Sequence, residues 1–248
     1  RHAQTVHSAG HATVALSGCA TYETPRGPAD LSGIHSYDIR ERKSREPAAS
    51  FPAGISLVRI QASGYHAHSA STYGGGAYVV EMSRELMSDE VIEHMADWVG
   101  VLKVAPLGRL LIPSHLDSVD ELRAASASLK TDILIAYTFD TEFRVDERPV
   151  GPMNVISLGV LRSRDVVVHT TASAILVDVR TGYVYGLAEA SATESKGSNL
   201  WNSSSAVDQG RVETEREAFD GLVVALGKTW GRLIEEYALS AAADVAAD

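Results

Sequence analysis

Val166-Val167-Val168-His169-Thr170-Thr171-Ala172-Ser173-Ala174-Ile175-Leu176-Val177-Asp178-Val179, then Arg180-Thr181, then Gly182-Tyr183-Val184-Tyr185-Gly186-Leu187-Ala188-Glu189-Ala190-Ser191-Ala192-Thr193, is the stretch whose reading decides the fold. Two long β-branched and small-residue runs around a short polar break predict an antiparallel hairpin. Val184, Gly186, Ala188, Ala190 and Ala192 recur at every second position, so one face of the second strand is nearly flat. A flat face lets a helix pack close. The chain supplies one downstream, where Phe219, Leu222, Val223, Leu226, Trp230, Leu233, Ile234 and Tyr237 fall on one helical stripe. Gly227 and Gly231 lie inside it and cost about 1 kcal/mol each relative to Ala, which packing of the stripe must offset.

Working back toward the amino terminus, Asp132-Ile133-Leu134-Ile135-Ala136-Tyr137 reads as a buried strand. Ser118-Val119-Asp120-Glu121 matches a capping box opening a helix with Val119, Leu122, Ala125 and Leu129 inward. Leu102 to Ile112 reads as an aliphatic strand interrupted at Pro106-Leu107-Gly108, and Ser88-Asp89-Glu90 starts a helix that Gly100 stops. Ile55 to Ile60 and Ala77 to Val80 are strands, separated by a Gly-rich stretch, Tyr73-Gly74-Gly75-Gly76, read as loop. The predicted class is α/β of the α+β kind: a mixed β-sheet with a late hairpin, helices packed on it and a long C-terminal helix. One globular domain is expected over residues 51–240, after a signal-like segment 1–19 and a flexible tether 20–50, and before a frayed tail 241–248.

Charge and composition narrow the functional classes. The chain has 248 residues, 45% hydrophobic and 22% charged, with a net charge of −10, which argues against nucleic acid as a partner. A single cysteine, Cys19, allows no internal disulfide and no cysteine-based metal cluster. It closes Leu16-Ser17-Gly18-Cys19, a small-residue run of the lipobox kind, in which the cysteine is acylated and more than one acyl chain anchors stably. The alternative is an incidental cysteine in a disordered cytosolic terminus.

Candidate chemistry is sparse. His66-Ala67-His68 would put two imidazoles on one face of a strand, the start of a metal site for a small metal-dependent enzyme, but no third ligand is marked. The glycine loop lacks a following Lys-Ser/Thr, and no G-x-S-x-G elbow is present. Asp140 to Arg148 alternates acids and arginines and reads as a solvated loop. Met153, Val155, Ile156, Leu158, Val160 and Leu161 form an apolar segment between charged stretches. It is either a buried strand or a protruding apolar tip that touches a neighbouring subunit or lipid. No catalytic residue, metal or cofactor is assigned.

The lipobox, the strand 132–137 after its helix, and Ala172 to Gly182 with its Asp-x-x-Thr-Gly turn (Asp178, Thr181, Gly182) resemble a group of bacterial envelope lipoproteins. That group includes the curli-secretion channel lipoprotein, the TolB amino-terminal-domain-like proteins and the predicted rhombotarget lipoproteins. The resemblance covers roughly residues 51–237. It implies a non-catalytic domain facing the periplasm from the outer membrane, working through envelope partners or self-association as an assembly or scaffold factor. A ring-forming channel subunit is the alternative, although the channel-forming relatives have two membrane-crossing hairpins and this chain has one comparable apolar segment without an alternating pair of about ten residues each, which makes a pore an unexpected outcome.

Overall fold

A computed structural model describes residues 27–30, 39–67, 69–82, 86–149, 162–197 and 204–238. In chain order the elements are α1 (Ile39–Lys43), β1 (Ala53–Ala62), β2 (Thr72–Tyr73), β3 (Gly75–Gly76), β4 (Tyr78–Glu81), α2 (Asp89–Ala96) and β5 (Val101–Pro106). Then follow β6 (His115–Leu116), α3 (Val119–Ser128), β7 (Ile133–Pro149), β8 (Arg162–Asp178), β9 (Val184–Gly197) and α4 (Ser204–Leu233). The main sheet has seven strands ordered β2-β4-β1-β7-β8-β9, with β5 also pairing β1. β1 runs parallel to β5 and β7, while β7, β8 and β9 are successively antiparallel, so the sheet is mixed as expected.

Both faces of the central strands are buried because both carry apolar side chains. On one face Ile55, Leu57, Ile133, Ile135, Tyr137, Ala172, Ala174 and Leu176 meet Phe219, Leu222, Leu226 and Trp230 of α4. On the other, Val58, Ile60, Leu134, Ala136, Ile175 and Val177 meet Val119, Leu122 and Ala125 of α3. The capping box holds: Ser118 Oγ accepts from Asp120 N at 3.2 Å, and Ser118 N donates to Glu121 Oε2 at 3.0 Å. The flat face of β9 also takes its helix closely. A methyl group added at Gly221 would lie 3.0 Å from Ala190 Cβ, and one at Gly186 would lie 3.0 Å from Thr229 Cγ2. Each large side chain buried beneath α4 contributes about 1.5–3 kcal/mol of transfer free energy.

Four local expectations are corrected. The charged run from Asp140 is strand, not loop: β7 continues to Pro149, paired with β8 from Ile133↔Asp178 to Pro149↔Arg162. Its pairing with β1 ends at Arg59↔Tyr137, and beyond that point Asp140 is half-buried and Glu142 and Arg144 are exposed, where charges are tolerated. The last helix begins at Ser204 rather than near Phe219, because its first half buries ion pairs in place of an apolar stripe. The aliphatic run from Leu102 stops at Pro106, which has no N–H to extend a ladder, and a 3-10 turn follows at Arg109–Leu111. The glycine loop contributes β3, which pairs with β6. At Gly76, with φ +118°, a side chain would meet the Leu116 carbonyl at 2.6 Å, so glycine alone permits that approach.

Parts of the stretch read as a tether touch the domain. Ala29 is buried, its N–H donating to Thr138 Oγ1 at 3.0 Å, and Ala48 and Ala49 bond to Asp178 and Tyr185. The signal-like segment and the tail 241–248 lie outside the described residues.

Candidate functional site

Three arrangements gather polar side chains. The first is a charged junction where the amino-terminal half of α4 crosses β1. Arg59 would read as an intruder in an apolar strand, yet it is 5% exposed. Its Nη2 lies 3.0 Å from Glu215 Oε2 and its Nη1 lies 3.8 Å from Glu81 Oε2. Arg211 Nη1 meets Glu215 Oε1 at 2.6 Å, and its Nε meets Asp208 Oδ1 at 3.0 Å. Tyr65 Oη accepts from Arg59 at 3.1 Å and from Arg211 at 3.4 Å, and Ser69 Oγ accepts from Arg211 at 2.9 Å. Arg59 also stacks over Phe139 at 4.6 Å.

Burial works to lower the Arg59 pKa, but Glu215, Tyr65 and Glu81 outweigh it and hold the value above that of a free arginine. The Tyr65 hydroxyl is pushed up to about 12, by burial first and then by Glu215. Both arginines stay charged. The side chains fill their own space, leaving no water-sized cavity among them, so the junction fastens α4 to the central strand β1 and offers a small molecule no room. The signal that could have revealed it is Asp208, Arg211 and Glu215 at i, i+3 and i+7, in line with Ala218 and Leu222 on one helix face.

The second arrangement is the Asp-x-x-Thr-Gly turn. Asp178, 1% exposed, accepts at Oδ1 from Arg180 N at 2.8 Å and Thr181 N at 2.9 Å. At Oδ2 it accepts from Ala48 N at 2.7 Å and Tyr185 Oη at 2.7 Å. Burial alone would raise its pKa, but the donors from Thr181, Tyr185, Ala48 and Arg180 prevail and lower it. Gly182 completes the turn at φ +73°, its N–H donating to the Asp178 carbonyl. Arg123 of α3 donates to the Val179 and Arg180 carbonyls, and Arg45 to that of Gly182. One carboxylate thus ties the hairpin turn to β9 and to the chain entering the domain. A cavity of about 350 Å³ opens beside it, lined by Ala127, Lys130, Asp132 and Arg180.

The third is the open face of the hairpin. His169 Nδ1 and Thr193 Oγ1 are 2.8 Å apart, Thr171 and Ser191 hydroxyls 3.0 Å, and Ser173 Oγ donates to Glu189 Oε2 at 3.1 Å. His169 and Thr193, with Asp140, Glu142, Arg144 and Gly27, border a concavity of about 700 Å³. It is open and lined by both polar and apolar side chains, Phe143 and Val167 among the latter, and is suited to a surface contact.

The residues singled out in the sequence fall differently. Cys19, His68, Met153, Val155, Ile156, Leu158, Val160 and Leu161 lie outside the described residues. His66 is exposed, with its Nδ1 3.1 Å from the Gly64 carbonyl. Among the described residues no group of three His, Cys, Asp or Glu is placed to hold a metal ion, and no helix is long and apolar enough to cross a membrane.

No family model and no curated protein matches the chain. Solved structures do. The lipoprotein GNA1162 from Neisseria meningitidis is 17% identical, with 65% of this chain and 94% of that one covered at a TM-score of 0.32. Protein XCC0632 from Xanthomonas campestris, of the family DUF330, is 11% identical, with 76% and 94% covered at a TM-score of 0.34. At such scores neither likeness extends to function.

Proposed function

We propose that the chain is a bacterial envelope lipoprotein, held at the outer membrane through acylated Cys19 and facing the periplasm. Its domain acts without catalysis, as an assembly or scaffold factor through protein contacts. The observation that carries this reading is the run Leu16-Ser17-Gly18-Cys19, eight positions before Gly27, whose Cα stands beside Asp140 on the open face of the hairpin. Eight residues span at most about 29 Å, so an anchored Cys19 keeps that face close to the lipid headgroups. The filled charged junction and the four donors that satisfy Asp178 support a structural use for both, and the net charge of −10 disfavours nucleic acid. Radiolabelled palmitate should enter the wild-type chain in a bacterial host and be lost in Cys19→Ala, with the protein moving from the membrane to the soluble fraction. An unlabelled wild type defeats the proposal.

A second reading, a ring-forming subunit of a secretion or channel complex, is favoured by one observation. β7 and β8 pair as far as Pro149↔Arg162, so the apolar residues 150–161 join the two strands at their far ends. Light scattering in detergent separates the readings: a large assembly that needs 150–161 favours the ring, and a species unchanged by their deletion removes it.

A further inference from the structure

β9 ends the sheet: among the described residues it pairs only with β8, over fourteen residues without a proline. Thr229 Oγ1 donates to the Leu187 carbonyl at 3.4 Å from the far side of the strand. That bond marks Leu187 as a residue whose main-chain groups face outward. By the two-residue period of a strand, so do Glu189, Ser191 and Thr193. From Gly186 onward, past the bulge at Tyr185, the register is unbroken, and a long edge of this kind is a template for another strand. Its flanks carry exposed apolar side chains, Leu187 at 68% and Val184 at 38% on the sheet and Val224 at 58% on α4.

We infer that β9 pairs antiparallel with β9 of a second copy of this chain about a two-fold axis near Ala190, extending the sheet across both protomers and bringing the two α4 helices together. The pattern on α4 supports a copy of itself as the occupant. Glu217, Gly221, Val224 and Lys228 stand at i, i+4, i+7 and i+11, one stripe along the helix, in which Gly221 packs beside Ala190 of β9 and the other three side chains are exposed. The stripe is complementary to its own reverse. Glu217 and Lys228 lie at equal distances on either side of the midpoint between Leu222 and Val223, and so do Gly221 and Val224. An antiparallel α4 pair therefore sets Glu217 against Lys228 of the second copy, and Gly221 against its Val224.

The strands agree with the helices. With the axis at Ala190, Glu189 stands opposite Ser191 of the second copy, Leu187 opposite Thr193 and Ala188 opposite Ala192, so that none of these pairs sets two carboxylates together. Each matched outward residue meets another outward residue, as a hydrogen-bonded ladder requires. Strands about 4.8 Å apart put each β9 about 2.4 Å from the axis. The α4 helices, lying over β8 and β9, then pack at about 8–10 Å, a separation that Gly221 permits. A surface that meets its own copy about a two-fold closes on itself, so the product is a dimer.

The test is sedimentation equilibrium of the full chain carrying Cys19→Ala, without detergent, so that acyl chains play no part and the result is independent of the anchoring proposal. A reversible dimer is expected. Val224→Asp, at an exposed position, should leave the circular dichroism spectrum intact and yield monomers. Glu217→Lys and Lys228→Glu should each raise the dimer Kd about tenfold, or about 1.4 kcal/mol over two symmetry-related pairs. The double charge swap should restore the Kd to within about threefold of the unswapped protein, a rescue that loss of folding cannot imitate. A monomer at all concentrations overturns the inference, as does a dimer indifferent to all three substitutions. Slow hydrogen exchange at Glu189, Ser191 and Thr193 in a monomer also overturns it, since the edge is then covered by the chain's own residues.

Discussion

At Asp178 four donors converge on one carboxylate, two from its own turn, one from β9 and one from the chain entering the domain. Replacing it with Asn removes the charge that all four address, and we expect a loss of about 1–3 kcal/mol at pH 7, read from urea midpoints. Because the folded carboxyl titrates below its unfolded value of about 3.9, its contribution is complete above that pH and fades as the pH falls through the folded value. The gap between wild type and Asp178→Asn should therefore narrow on acidification toward pH 3, and a constant gap contradicts the assignment. The charged junction yields a sharper contrast. Glu215→Ala leaves Arg59 and Arg211 buried with one fewer counter-charge and should cost about 3–5 kcal/mol. Glu41→Ala, which removes the exposed partner of Arg45, should cost less than about 1 kcal/mol in the same assay.

Among the elements, α4 and β9 show how a helix and a strand specify each other. Small residues on β9 and Gly221 on α4 let the backbones approach, and large side chains further along α4 fill the space over β7, as where Phe219 stacks 5.0 Å from Tyr137. Gly221→Val forces a branched side chain into a contact already at 3.0 Å from its first carbon. It should destabilise by about 1–3 kcal/mol in thermal or urea unfolding, and a neutral result contradicts the close packing. The apolar half of α4 was legible from periodicity alone, and so were α3 with its capping box, the hairpin and the cores of β1 and β7. The charged half of α4 and the outer half of β7 were not. In both, polar residues occupy positions whose burial or pairing depends on distant partners, Arg59 for Glu215 and the residues of β8 for Asp140 to Pro149.

In the whole molecule the central strands β1, β7 and β8 supply apolar side chains to clusters on both sheet faces. Neither face can lose its helix without exposing strands that the other needs, so unfolding should be one transition. Tryptophan fluorescence of Trp201→Phe, which leaves Trp98 and Trp230 on the α4 side as the reporters, should coincide with far-ultraviolet circular dichroism, and separated midpoints contradict a shared core. Local pattern was sufficient for the class of fold, the strand–helix order and the small-residue face of β9, because periods of 2 and 3.6 are written in neighbouring residues. Strand order, the ion pairs beneath α4, the four donors on Asp178 and the place of β9 at the end of the described sheet exist only once the chain has closed on itself. The pairing of β1 with β7, of Arg59 with Glu215 and of Ala48 with Asp178 joins positions tens to more than a hundred residues apart, and no local period encodes such a pairing, since it is the loss of water around both partners together that selects it.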